Sequence, residues 1–195
     1  NNFDKGCLYD QGLTPLDWYK KSVDELVRPK YLHNWNQLSE DLKKYGSYLS
    51  VYLSGQPTET SSQLANATNG FEPPRAPISI KRSKEGILVQ VIPEFTKLKN
   101  KYTYLFENKS PVGYLKILTI FQKFFDQAIS VNTAYDNQQY PDGKVPLSEL
   151  IRDWLTFYKY GGKNLYYHLN NDAAGEVDIS KIDDNKLLEP VQEAE

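Results

Sequence analysis

The 195-residue sequence is poor in the residues that most often bind metal ions or form cross-links. It contains one cysteine, Cys7, and two histidines, His33 and His168, that lie far apart in the chain. A single cysteine excludes an internal disulfide framework and favours a reducing compartment. Because these three residues have no metal-ligand spacing, we expect no metal site in this chain. Cys7 has no neighbouring histidine in the sequence, and we expect it to be chemically inert.

Long apolar runs, strong charge and short catalytic motifs are also absent. No apolar run approaches the roughly 18–20 residues that a membrane span requires, and the first twenty residues are too polar for a signal peptide. The net charge of −2 gives no general attraction to nucleic acid or to anionic membranes. Glycine-rich nucleotide fingerprints, a P-loop and a serine elbow are missing. We therefore expect a cytoplasmic protein of about one domain, with no nucleic-acid or membrane partner.

Hydrophobic periodicity indicates a mixture of helices and strands. It predicts helices near 15–27, 36–45, 93–106, 112–129 and 146–160, strands at 47–53 and 165–169, and a β-hairpin with its turn at 84–86. The segment 171–195 carries eight acidic residues against two lysines and few large apolar residues. We expect this acidic tail to be mobile, or to become ordered only on binding.

The stretch PTETSSQ, residues 57–63, has two interpretations. Hydroxyl-bearing residues at the start of a helix, where backbone N–H groups are unpaired, are typical of an anion or phosphate cradle. Thr60 and Gln63 also fit an ordinary capping box, in which the helix start satisfies itself. Glu59 argues against a phosphate, unless its carboxylate faces a sugar hydroxyl or a main-chain N–H.

The adjacent tyrosines in NLYYHL, Tyr166 and Tyr167, also have two interpretations. Neighbours in a regular strand point to opposite faces, so one ring could pack in the core while the other faces a surface. Alternatively, both phenols take part in chemistry. A phenol with a reference pKa near 10 is a poor acid or base at neutral pH, but tyrosine readily gives up an electron and a proton together. Two stacked tyrosines could therefore pass a radical between them.

Three segments together carry a resemblance to a known family. They are PTETSSQLANATNGFEPPR, SKEGILVQVIP and GKVPLSELIRDWLTFYKYGGKNLYYHLNND. In order and spacing they resemble the C-terminal part of the large, catalytic subunit of class Ia ribonucleoside-diphosphate reductase, and most of all the enterobacterial and T-even-phage types. The likeness extends from about Tyr9 to Asn171, which is almost the whole chain.

The resemblance assigns roles to the two motifs. In the family, the P-[ST]-E-T-S-S-Q loop receives the diphosphate of the substrate nucleotide. Carried over, the residues at the phosphate end would be Thr58, Glu59, Thr60 and Ser61. The family's tyrosine pair maps onto Tyr166 and Tyr167, which would relay a radical from the small subunit towards the catalytic cysteine. The strand must bend at this pair for the two rings to stack.

The resemblance also implies a fold and a division of the chain. The family builds a ten-stranded α/β barrel with a small αβ subdomain, and this chain would form the C-terminal part of that fold, completed by another chain. Residues 1–76 would form a barrel segment with the phosphate loop, and 77–160 the subdomain of a hairpin plus helices. Residues 161–170 would form the final barrel strand with the tyrosine pair, followed by the acidic tail 171–195.

Departures from the family pattern imply partners. The family's catalytic cysteine, its nearby glutamate and its reducing cysteine pair belong to sequence upstream of this chain, and the cysteine pair of the family's C-terminal tail has no counterpart here. We therefore expect activity only in complex with the N-terminal part of the large subunit and the small subunit. The chain would then be either a natural split of the subunit or an expressed fragment.

No cofactor is expected in this chain itself. By the resemblance, the assembly would use a diiron-tyrosyl radical in the small subunit and ATP or deoxynucleotide effectors on the other part of the large subunit. Thioredoxin or glutaredoxin would supply the electrons, and ribonucleoside diphosphates would be reduced to deoxyribonucleoside diphosphates.

Two alternatives stay open. The first is a non-catalytic binding or assembly module that keeps the fold without turnover. The second concerns the helix at 147–160, whose apolar face fits either ordinary core packing or a groove for the C-terminal peptide of the small subunit.

Overall fold

The computed structural model describes residues 7–58, 60–83 and 86–171, and gives the backbone alone for 81–83 and 86–88. Its α-helices are α1 Pro15–Trp18, α2 Trp35–Tyr45, α3 Ser61–Leu64, α4 Phe95–Leu98, α5 Val112–Gln122 and α6 Leu147–Lys159. Its strands are β1 Ile78–Ser83, β2 Gly86–Val91, β3 Thr133–Asp136 and β4 His168–Asn171. None of these helices is long and apolar enough to cross a membrane. Beyond Asn171, the predicted acidic tail lies outside the described residues.

The strands form two small sheets. β1 and β2 pair antiparallel from Ile78↔Val91 to Ser83↔Gly86, so the predicted hairpin is confirmed. β3 and β4 pair in parallel from Thr133↔His168 onward, and α6 provides the crossover that a parallel pair requires. Helices and strands therefore combine as in an α/β fold. Within the described part of the chain, these sheets are separate and do not close into a barrel.

A third parallel segment lies beside the one that leads into β3. Gly55 forms a parallel bridge with Ile129, and the Ser130 N–H donates to the Gly55 carbonyl at 2.8 Å. A side chain at Gly55 would place its Cβ 2.9 Å from Ile129, so this close approach requires glycine. The segments 53–55, 129–136 and 166–171 thus run side by side, with 129–136 in the middle.

The core lies between these segments and two helices. Its buried cluster consists of Leu115, Leu118, Ile129, Val131 and Phe157. The helix predicted at 112–129 is present as α5, but it ends at Gln122. The Gln122 side chain explains this ending, because its amide donates to the Gln127 carbonyl at 2.8 Å and its oxygen accepts the Ile129 N–H at 3.1 Å. These two bonds hold a turn where the helix would otherwise continue.

Asp126 joins three distant parts of the chain. Its carboxylate accepts the Tyr9 hydroxyl at 2.6 Å and the backbone N–H groups of Tyr52 and Leu53 at 2.6 and 3.0 Å. The strand predicted at 47–53 is therefore wrong, since a side chain takes the N–H groups that a ladder would use. The apolar side chains that gave the segment its strand pattern are instead exposed.

Two of the other helix predictions are also too long. The Thr14–Asp17 capping box is present, but α1 ends at Trp18 and a 3₁₀ turn, Lys21–Glu25, follows. Bonds to the Asp24 carboxylate from the Tyr19 hydroxyl and the Lys123 ammonium, each 2.7 Å, stabilise that turn.

In place of the helix predicted at 93–106 there is only the single turn of α4. The Leu105 N–H donates to the Pro74 carbonyl at 2.9 Å rather than to a helical acceptor, and the Tyr104 hydroxyl donates to the Lys99 carbonyl at 2.6 Å. Bonds to a distant segment have replaced the helical ladder.

Candidate functional site

The two motifs singled out in the sequence line one cleft. This open cleft has a volume of about 610 Å³, and its walls are Pro57, Thr58, Thr60, Ser61, Leu64, Tyr166 and Tyr167. More than 100 positions separate the two motifs in the chain. They meet because each motif adjoins a segment that pairs in parallel with the central segment 129–136, one at each of its edges. Glu59, the remaining predicted site residue, lies outside the described residues.

One wall of the cleft is the loop 58–70, and Thr58 holds the two ends of this loop together. The Gly70 N–H donates to the Thr58 hydroxyl oxygen at 2.8 Å, and the Thr58 N–H donates to the Asn69 side-chain oxygen at 3.2 Å. Gly70 has φ of +60°, in the left-handed region that favours glycine. These bonds tie the two ends of the segment 58–70 together, so its hydroxyls are held against the cleft.

The start of α3 does not form the expected capping box. Thr60 has helical backbone angles and its side chain makes no cap hydrogen bond. The interpretation of Thr60 and Gln63 as an ordinary capping box is therefore wrong. The Thr60 and Ser61 side chains are exposed. Among the described residues, the Thr60 and Ser61 N–H groups make no hydrogen bond. The Ser61 hydroxyl donates to the Thr58 carbonyl at 3.4 Å, so the two N–H groups and the Thr60 hydroxyl are available to an anion in the cleft.

The second wall is the tyrosine pair, whose rings are in contact. The ring centroids of Tyr166 and Tyr167 are 4.1 Å apart, with 54° between the planes. Their side chains are 51% and 57% exposed. Because both rings are half-exposed and lie together, the interpretation of one core ring and one surface ring is wrong.

A shift in hydrogen-bond pairing explains how neighbouring residues place their rings together. The Thr133 N–H donates to the Tyr167 carbonyl at 2.9 Å, as the parallel ladder requires. If that ladder continued regularly, the Val131 carbonyl would accept the Tyr167 N–H. It accepts the Tyr166 N–H instead, at 2.7 Å, and the Tyr167 N–H donates to the Asn132 side-chain oxygen at 3.0 Å. This one-residue bulge supplies the bend that brings the two rings into contact, although at 54° they are tilted and not stacked as predicted.

The cleft places backbone N–H and hydroxyl donors beside a pair of oxidisable phenols. A phenol with an ordinary pKa near 10 is neutral at pH 7, so proton loss alone is unfavourable. Loss of an electron together with the proton leaves a neutral tyrosyl radical, and a ring 4.1 Å away is in contact to receive it. Over the described ranges, no group of three or more histidine, cysteine or acidic side chains is placed to hold a metal ion.

A second cleft, of about 320 Å³, has several lysines in its lining. Two of them, Lys123 and Lys163, already bond to other groups of the protein. Lys123 is buried and paired with Asp24 at 2.7 Å. The hydrogen bond from Lys123 lowers the pKa of the Asp24 carboxyl. Lys163 donates to the Asp126 carbonyl at 2.7 Å, and burial lowers the pKa of its ammonium. We therefore assign this cleft a structural role.

Sequence reasoning missed two residues that shape the site, Asn69 and Asn132. Both use side-chain oxygens to accept backbone N–H groups of predicted site residues. Asn132 had a detectable sign: it lies in SVNTAYD between Val131 and Thr133, and a polar side chain within an otherwise buried strand needs a partner. The strand β3 itself was not predicted.

Comparisons with known proteins agree with the resemblance in the sequence. Residues 1–168 match the model of the family described as ribonucleotide reductase, barrel domain. The chain is 48% identical to the ribonucleoside-diphosphate reductase 1 subunit alpha of Salmonella typhimurium and 46% identical to that of Escherichia coli, each over 169 residues. Over 182 residues it is 42% identical to the ribonucleoside-diphosphate reductase subunit alpha of Enterobacteria phage T4.

These similarities cover most of this chain but a small part of each relative. They span 87%, 87% and 90% of the chain, and 22%, 22% and 24% of the respective relatives. The chain thus has about a fifth to a quarter of the length of the proteins it matches. The resemblance predicted from the three sequence segments, to enterobacterial and T-even-phage-type subunits, is confirmed.

Proposed function

Since the chain belongs to the ribonucleotide reductase barrel-domain family, we propose that it supplies part of the catalytic subunit of a ribonucleoside-diphosphate reductase. In that role it contributes to the reduction of ribonucleoside diphosphates to deoxyribonucleoside diphosphates. The cleft between the PTETSSQ loop and the tyrosine pair holds one end of the substrate and delivers the radical. The observation that carries this proposal is that two motifs so distant in sequence line the same cleft, with the two phenol rings in contact.

The loop binds the diphosphate. The N–H groups of Thr60 and Ser61 and the Thr60 hydroxyl bind the anion, while Thr58 keeps the loop closed through Gly70 and Asn69. Several short bonds from neutral donors suit a group that must bind and leave in each turnover. By the family resemblance, Glu59 also belongs to this end of the site.

The tyrosine pair relays the radical. When one ring is present as the neutral tyrosyl radical, it takes an electron and a proton from the phenol of its neighbour. The first ring then returns to a phenol and the second becomes the radical, so charge and atoms balance. Contact between the rings keeps this transfer short. The source is a diiron-tyrosyl small subunit, and the destination is a cysteine in the other part of the large subunit.

The partners of this chain are therefore the N-terminal part of the large subunit and the small subunit. α6 supports a docking role, because a row of large apolar side chains on it is exposed: Leu147, Ile151, Trp154, Leu155 and Tyr158. Asp153 and Phe157, on the other side of the helix, are buried. Core packing within this chain does not account for the exposed row, which supports a groove for the small subunit's C-terminal peptide. Effector nucleotides and the thioredoxin or glutaredoxin reductant act elsewhere in the assembly.

The test is turnover of the reconstituted enzyme with single-atom changes at the tyrosine pair. Tyr166→Phe and Tyr167→Phe keep each ring but remove the hydroxyl. The full chain is combined with the N-terminal part of the large subunit, the small subunit, cytidine diphosphate and reductant. We expect each variant to lose nearly all reduction, while native mass spectrometry shows an unchanged complex. Tyr45→Phe, at an exposed position on α2, is the matched control and should keep full activity.

The alternative, a binding or assembly module without turnover, makes the opposite prediction. A stable complex of the unaltered chain that does not reduce cytidine diphosphate would support the module. An unchanged rate in Tyr166→Phe would refute the relay even if the enzyme is active.

A further inference from the structure

Asn132 makes three hydrogen bonds to three different parts of the chain. Its side-chain oxygen accepts the Tyr167 N–H at 3.0 Å, and its own N–H donates to the Glu72 carboxylate at 3.1 Å. Its carbonyl accepts the hydroxyl of Tyr114, on α5. Only the first of these bonds uses the asparagine side chain, so the other two are open to any residue except proline at this position.

The bond to Tyr167 replaces the one that the bulge breaks. The Val131 carbonyl is taken by Tyr166, which leaves the Tyr167 N–H without its regular ladder acceptor. At this exposed position water could accept the N–H, but only an acceptor fixed to the protein gives the bulged pairing a bond in place of the one that the regular pairing would make. The Asn132 amide oxygen is that acceptor. It therefore stabilises the pairing in which the two rings meet.

The bond to Glu72 connects the same residue to the opposite wall of the cleft. Glu72 lies two positions after Gly70, at the end of the loop that Thr58 closes through Asn69 and Gly70. A short path of hydrogen bonds and chain thus runs from Thr58 through Gly70 and Glu72 to Asn132, and on to Tyr167. Both walls of the cleft are therefore connected to one residue of the central segment, Asn132.

From these contacts we infer that Asn132 is a positioning residue, which holds Tyr166 and Tyr167 in contact and sets their place relative to the phosphate loop. The inference rests on the proposed function, because that function gives the contact between the two rings its use. It goes further in naming a residue that bonds to the backbone of Tyr167, not to a reacting atom, and that controls the relay through the position of the rings. The side-chain bond governs the tyrosines alone, so a side-chain substitution should affect transfer and spare substrate binding.

The experiment compares Asn132→Ala with Asn132→Asp in the full chain and in the reconstituted enzyme. Alanine removes the acceptor for the Tyr167 N–H, whereas aspartate keeps an oxygen at the same place. Asn164→Ala is the matched control, since that exposed asparagine is two positions from Tyr166 and its side chain makes no hydrogen bond with the described residues. The first readout is hydrogen exchange of the Tyr167 amide, which depends on that single bond. The second is the separation of kcat from KM for cytidine diphosphate.

For Asn132→Ala we expect Tyr167 amide exchange at least about tenfold faster, because the N–H loses its acceptor. We also expect a kcat lower by roughly tenfold to a hundredfold, with KM changed by less than about twofold. Asn132→Asp should retain protection and most of kcat, and Asn164→Ala should match the unaltered chain. Rescue by aspartate separates positioning from a general loss of folding.

Two results would overturn the inference. Unchanged Tyr167 protection in Asn132→Ala would show that the amide oxygen does not hold the bulge. Lost protection with full kcat would show that the bulge does not matter for transfer. Failure of the proposed function looks different: Tyr166→Phe would then keep full turnover, whatever happens to the Tyr167 amide in the Asn132 variants.

Discussion

In the proposed function, Thr58 acts through the shape of the loop more than through direct contact with the diphosphate. Its hydroxyl oxygen accepts the Gly70 N–H at 2.8 Å, and its N–H donates to Asn69. A residue that closes a binding loop contributes mainly to the binding of the ground state. Its loss should therefore appear in KM rather than in kcat.

Thr58→Val tests this role, because valine has nearly the same shape without the hydroxyl. We expect the KM for a ribonucleoside diphosphate to rise roughly fivefold to tenfold, equal to about 1 kcal/mol for one hydrogen bond, with kcat little changed. Steady-state kinetics of the reconstituted enzyme measure both constants. Thr58→Ser keeps the hydroxyl and should keep KM. Equal KM values for the valine and serine variants would contradict the role.

The pair of the buried Lys123 and the partly exposed Asp24 gives a prediction on pH. The Lys123 bond lowers the pKa of Asp24 in the folded protein, so the pair stabilises the fold above the ordinary carboxyl range near pH 4 and loses that contribution as the pH falls through the folded pKa. Asp24→Asn leaves the Lys123 ammonium buried without a counter-charge. We expect a cost of about 3 kcal/mol at pH 7 that shrinks below about pH 4.

Urea unfolding at pH 7 and at pH 3.5 measures this difference. The double variant Asp24→Asn with Lys123→Met removes both charges and should recover more than half of the loss. A cost that is the same at both pH values, or that persists in the double variant, would show that the charge pair is not its cause.

Single residues of the site differ in how far the sequence could reveal them. Thr58, Thr60, Ser61 and the tyrosine pair follow from motifs that resemble a family, and the structure places them on one cleft. The roles of these residues stay predictions until the kinetic tests are made. Asn132 could not be identified in the same way, because its role depends on which backbone N–H the bulge deprives of its regular ladder acceptor.

Among the elements, local chemistry decided which predictions succeeded. α2 has the expected length because Asn34 caps its start, accepting the Gln37 N–H at 3.2 Å, and Gly46 ends it with φ of +76°. These residues act within a few positions of the helix, so the sequence shows them directly. The helix predicted at 93–106 and the strand predicted at 47–53 fail because their backbone groups bond to Pro74 and Asp126, which are remote in sequence.

The turn after α6 gives a prediction at this scale. A Cβ at Gly162 would overlap the ring of Phe157, which belongs to the buried core cluster. Gly162→Ala should therefore lower the free energy of unfolding by about 1–3 kcal/mol through overpacking, and disturb the segment that leads to Tyr166. Gly113→Ala is the control, because nothing lies within 4 Å of a Cβ at that helical position. It should stabilise the protein by about 0.5–1 kcal/mol.

Urea unfolding of both variants measures the two effects under the same conditions. The prediction requires that Gly162→Ala lower the free energy of unfolding and that Gly113→Ala raise it, although the substitution is the same. A stabilising or neutral Gly162→Ala would mean that the Phe157 ring can move aside without cost.

For the molecule as a whole, exposed apolar residues support the proposal that it works within an assembly. Leu32, Tyr48 and Leu64 are each at least 85% exposed, and the row on α6 adds a further apolar surface. Large exposed apolar patches usually mark sites of interaction, and the row on α6 is the candidate here. The sequence indicated a partner by resemblance, and the exposures in the structure add candidate side chains for the contact.

Dye binding tests this expectation. The chain alone should enhance the fluorescence of 8-anilinonaphthalene-1-sulfonate, and addition of the N-terminal part of the large subunit should remove most of the enhancement as the apolar surface is covered. An isolated chain that binds no dye would contradict the prediction. So would a complex that binds as much dye as its separate parts.

The Asp126 carboxylate also affects when the chain can fold during its synthesis. Tyr9, which donates to it, is made 117 positions earlier in the chain. At about 5–20 residues per second, the ribosome reaches Asp126 roughly 6–23 seconds after Tyr9. Until then the N–H groups of Tyr52 and Leu53 can bond only to water or to transient partners. We expect the pace of translation, rather than an intrinsic folding barrier, to set when the first half of this chain acquires its final structure.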